Sequence, residues 1–97
     1  MTIKRIVLAS VLALVCANAR AATLAPPGVA ACSSCHPRTG ADSSLLPSLT
    51  GQSANDIVAA MEAFRSGKRP ATVMDRIAKG FTADETSAIA AWYAAQR

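Results

Sequence analysis

The run Cys32-Ser33-Ser34-Cys35-His36 constrains this chain more than any other feature. Two cysteines three apart, with a histidine directly after the second, fall on one side of a single helical turn. This is the attachment pattern of a c-type haem. The two thiols add across two vinyl groups on one porphyrin edge, and the imidazole comes to lie beneath the iron, where it is a good axial ligand. His36 is the only histidine in the 97 residues. Other uses of the pattern fit less well. A structural zinc site takes four N or S ligands, and a thioredoxin-like pair requires a strand before its first cysteine. A disulfide closing so short a loop would stabilise little.

The rest of the composition explains why such a staple is needed. Apolar residues make up 52% of the chain, but 22 of them are Ala and only four side chains are aromatic. A small domain with so few large groups is marginal without a disulfide, a metal or another covalent clamp.

Residues 1–21 read as a secretory leader. Lys4 and Arg5 precede an uncharged apolar run from Ile6 to Ala17, and Ala19-Arg20-Ala21 offers small residues for cleavage after Ala21. The run is about a dozen residues, against roughly 20 needed to cross a bilayer. Lipid attachment at Cys16 is disfavoured by Val15, which stands where a small residue is expected. Cleavage leaves residues 22–97 as one domain, without a membrane anchor and with Cys32 and Cys35 as its only cysteines. It also removes Lys4, Arg5 and Arg20, taking ten basic residues to seven against six acidic ones, a net charge of +1. No concentrated basic patch remains for nucleic acid. The expected location is the periplasm.

Helical signals account for the remainder. Pro26-Pro27-Gly28 opens a short helix into the motif, and Pro37 to Thr50 reads as a loop. Ser53 with Asp56 resembles a capping box for a helix reaching Ser66, and Thr82 with Glu85 is a cleaner one. The latter starts a last helix with Ile89, Trp92 and Tyr93 on one face. With one histidine, a second axial ligand from this chain would be Met61 or Met74. Met61 repeats with Ile57 and Phe64 at helical spacing, a core pattern. Met74 sits after the Gly67/Pro70 break, on a loop before a short helical stretch ending at Gly80. A thioether there can swing onto the open haem face.

Helix, CxxCH, loop, helix, Met loop and helix is a layout that resembles the class I c-type cytochromes. Within them, the stretch from Pro47 to Arg97 is similar to the cytochrome subunit of flavocytochrome c sulfide dehydrogenases. The residues carrying this are Pro47-Ser48-Leu49, Met61-Glu62-Ala63-Phe64-Arg65-Ser66-Gly67, Thr72-Val73-Met74, Arg76-Ile77-Ala78-Lys79-Gly80-Phe81 and Ala91-Trp92-Tyr93. The resemblance implies an all-α fold, the small class I cytochrome c fold, with four short helices around one covalently bound haem c. It implies thioether links at Cys32 and Cys35, His36 and Met74 as the two iron ligands, and a Pro47 carbonyl that orients the His36 ring. Two departures stand out. Pro37 occupies a position often held by Gly. The first helix also lacks an aromatic, so Gly28, Val29 and Ala31 are left to pack against Trp92 and Tyr93.

Such a subunit takes electrons, one at a time, from a partner flavoprotein that oxidises sulfide at its FAD. This chain has neither a Gly-rich dinucleotide loop nor the length for a flavin domain, so it would carry electrons onward to a downstream acceptor without sulfide chemistry of its own. The alternatives are a free-standing soluble cytochrome serving an oxidase or reductase and, further off, a haem ligand sensor. Docking is expected through apolar residues of the Met74 and Ser43–Pro47 loops, with Arg65, Lys68 and Arg69 available as a basic rim.

Overall fold

The computed structural model describes residues 24–37 and 46–96. The leader at residues 1–21, Cys16 and most of the Ser43–Pro47 loop lie outside them. Among the described residues there are four helices and no strand: α1 (Val29–Ser33), α2 (Ala54–Arg65), α3 (Met74–Ala78) and α4 (Ala83–Ala95). The all-α expectation holds.

Local chemistry sets the ends of the two longer helices. Ser53 caps α2 by accepting from the Asp56 N–H at 3.1 Å. Thr82 and Glu85 form a complete capping box on α4: the Glu85 N–H donates to Thr82 Oγ1 at 3.2 Å, and the Thr82 N–H donates to Glu85 Oε2 at 2.8 Å. At the other end of α2 the chain turns through Gly67 at φ +76, and the Arg69 N–H returns to the Ala63 carbonyl at 3.0 Å. Helices α1 and α3 have five residues each. Helices that short do not persist alone in water, so tertiary contacts must hold both.

Helix α3 packs against α2, whereas the contacts of α1 converge on one cluster. Val29 of α1, Ile57 of α2 and Ile89, Ala90 and Tyr93 of α4 are buried together, with Cys32, Leu49, Ala54, Val58, Phe81 and Trp92 packed around them. Burying each isoleucine contributes about 1.5–3 kcal/mol. Trp92 meets Tyr93 edge-on, with centroids 5.1 Å apart. Helix α1 comes in close because Gly28 has no side chain. A Cβ there would stand 2.7 Å from Phe81 Cε1 and 2.8 Å from Ile89 Cδ1, and the residue adopts φ +97.

Three expectations are corrected. Ala31 does not pack against Trp92 and Tyr93; it is exposed. A one-turn helix buries one narrow face, and Ala31 points about 200° around the axis from Val29. Met61 is half-buried and lies outside the buried cluster, one turn beyond Ile57. Met74 is the first residue of α3 and not a loop residue. The Arg76 and Ile77 N–H groups both donate to the Val73 carbonyl, at 3.0 and 3.1 Å, and so start the helix at that point.

Candidate haem site

Cys32 lies on α1, and the helical turn continues past its end. The Cys35 and His36 N–H groups both donate to the Cys32 carbonyl, at 3.2 and 2.9 Å. Residues spaced i, i+3 and i+4 on such a turn share one side, so both thiols and the imidazole are presented together. Cys32 and Cys35 are not joined in a disulfide; Cys32 is half-buried and Cys35 exposed. Burial pushes the Cys32 thiol above its ordinary pKa, opposed by a backbone hydrogen bond.

The His36 ring is fixed by a second contact. Its Nδ1 stands 2.7 Å from the Pro47 carbonyl oxygen. A carbonyl can only accept, so the proton of this bond resides on Nδ1 and the lone pair on Nε2. A hydrogen bond of this kind orients a ligating imidazole and increases its basicity. Pro47 follows the undescribed segment directly across Leu46. The contact therefore ties the far end of that loop back to the motif.

Met74 is carried by a separate element, α3, and is half-buried. Exposed large apolar residues lie next to it and next to Pro47: Val73 is 51% exposed, Ile77 42% and Leu46 46%. A flat apolar group would take these side chains out of water. Thr50 Oγ1 and Asp75 Oδ1 are buried with no hydrogen-bond partner in the protein. Two thiols, an imidazole with Nε2 available and a thioether are the donor set of haem c. The residues present fit the group.

A separate cleft of about 170 Å³ lies between α2, α3 and α4, lined by Val58, Met61, Arg65, Ala78 and Thr86 among others. It contains none of Cys32, Cys35, His36 or Met74, so it is not the haem site. It does account for Met61, whose side chain borders the cleft. The basic trio also separates. Arg65 donates from Nη2 to the Ala78 carbonyl at 3.3 Å and to the Phe81 carbonyl, whereas Arg69 lies over the Phe64 ring, 4.8 Å from its centroid. Nothing in the sequence signals the Arg65 contact. A basic residue in the last turn of α2 reads as a partner for that helix's own dipole.

No protein-family model matches the chain. Over 72 residues it is 33% identical to cytochrome c-554(548) of Halomonas halodenitrificans, covering 70% of this chain and 87% of that one. With the helical fold and the motif, this places the chain in the c-type cytochromes, as an electron-transfer haem protein with haem c as its cofactor. Over 62 residues it is also 42% identical to the cytochrome subunit of sulfide dehydrogenase of Chlorobaculum tepidum, covering 64% of this chain. The chain spans 56% of that relative's length.

Proposed function

We propose that this chain is the haem subunit of a sulfide dehydrogenase, receiving electrons one at a time from a flavoprotein that carries FAD and oxidises sulfide. The 42% identity to a subunit of that name carries the assignment. In this reading Cys32 and Cys35 hold a single haem c by thioether bonds, and His36 and Met74 ligate its iron. When bound, haem c supplies a one-electron couple. The protein's own part is to set that couple. The Pro47 carbonyl holds the His36 ring in one tautomer and orientation. The Met74 thioether would hold the iron from α3, a ligand type that favours the ferrous state and raises the potential.

The domain works outside the cytoplasm in this proposal, exported by a leader cleaved after Ala21. Among the described residues no helix is long and apolar enough to cross a membrane. The N-terminus of the purified protein, read by intact mass, is expected to begin at Ala22.

One observation favours a second reading. The match along 87% of a relative named as a cytochrome and not as a subunit suits a freely diffusing carrier. Salt separates the two. At about 1 M salt the Debye length falls to roughly 3 Å, so charge-steered encounters are lost while apolar burial persists. The complex with the co-expressed flavoprotein is expected to survive gel filtration at that salt. Dissociation on moderate salt would overturn the subunit assignment in favour of the free carrier.

A further inference from the structure

We infer that Arg65 is a positioning residue for the iron ligand Met74, acting through the far end of α3. The inference rests on the proposed His36/Met74 ligation.

Helix α3 is one turn long, starts at Met74 and ends at Ala78. It has no side-chain cap at its N-terminus, and five residues cannot hold a helix by themselves. Its C-terminal carbonyls are gripped from outside. The Arg65 guanidinium, on the last turn of α2, donates to the Ala78 carbonyl at 3.3 Å and to the Phe81 carbonyl just beyond. A cation at a helix C-terminus also meets the negative end of the helix dipole. Ala78 itself is buried, so the gripped end is seated against the fold.

Met74 and Ala78 are about 6 Å apart along the axis at 1.5 Å per residue. A single hydrogen-bonded turn transmits a displacement at one end to the other. The other contacts of Arg65 are weak: its Nε lies 4.0 Å from the largely exposed Glu62 carboxylate. An i,i+3 surface pair at that distance stabilises little. The guanidinium is thus committed to α3. Losing it would loosen the hold of Met74 on the iron without touching either ligand.

The test uses the ferric holoprotein and added imidazole, which competes with the thioether for the sixth position. Arg65→Met is expected to tighten imidazole binding about three- to tenfold, as expected when part of one charge-assisted hydrogen bond is lost. Arg65→Lys, which keeps one donor, should fall between Arg65→Met and the unaltered protein. Tyr93→Phe serves as the control for general loosening, because the bonds its hydroxyl makes to Ser33 and Val29 tie down α1. Unchanged imidazole affinity in Arg65→Met would overturn the inference. So would an equal gain in Tyr93→Phe. Met74→Ala separates this from the underlying reading: if it keeps the far-red charge-transfer band of the ferric protein, the ligand assignment itself is wrong.

Discussion

The hydroxyls of Ser33 and Tyr93, sixty positions apart in the chain, lie 2.6 Å from each other. Tyr93 also donates to the Val29 carbonyl at 3.3 Å. Its single proton is used there, so the Ser33 hydroxyl donates to it in turn. The ring is fully buried, at 1% exposure. The last helix thus grips the first at the residue directly after Cys32, through a side chain near the other end of the chain.

Tyr93→Phe removes these bonds and keeps the ring. Stability of the holoprotein in urea should fall by about 1–2 kcal/mol, since two hydrogen bonds of roughly 0.5–1.5 kcal/mol each are lost and the one to Val29 is long. An unchanged denaturation midpoint would show that the hydroxyl does not tie α1 to α4.

Gly28→Ala should cost more. A left-handed backbone is unfavourable for a residue with a Cβ by roughly 1–2 kcal/mol. The methyl would also press on Phe81 and Ile89, and overpacking of that kind typically adds about 1–3 kcal/mol. Urea unfolding followed by helical circular dichroism is the measurement, and a loss below that of Tyr93→Phe would refute the account.

Met74→Ala should abolish the weak far-red charge-transfer band of the ferric protein, whereas Met61→Ala should leave it. Met61 borders the α2–α4 cleft, away from the motif. Disappearance of the band in the Met61 variant alone would reverse the assignment.

Without haem the chain should be largely disordered. Among the described residues the buried cluster contains only three large aliphatic side chains and one tyrosine, and two of the four helices are single turns. A Cys32→Ala/Cys35→Ala double variant is therefore expected to lose most of its helical circular dichroism. Native-like helicity in that variant would show that the protein core suffices.

Much of this was legible in residue order because it is local. A capping box joins Thr82 to Glu85 through atoms three residues apart, and the Cys32–His36 turn is one hydrogen-bonded loop of backbone. Spacing alone specifies such features, since the intervening chain leaves few other conformations. The same holds for the absence of strands among the described residues: no segment alternates for long enough. Met74 reads as a loop residue because Pro70 just before it breaks helices, but the turn that starts at Met74 closes on the Val73 carbonyl.

Long-range pairings were decided by tertiary structure. The Pro47 carbonyl on His36 can be read from sequence through family resemblance alone, because any backbone carbonyl can accept that bond and only packing selects which one arrives. Arg65 reads as a surface charge in sequence, yet it reaches across to the carbonyls of Ala78 and Phe81. Gly28 reads as a turn residue, and its need to be glycine comes from Phe81 and Ile89, side chains brought to it by the fold. Sequence determined which atoms could bond, over distances the backbone itself sets. Where the chain closes over large separations, the partner is chosen by how α1 and α3 pack onto the two longer helices.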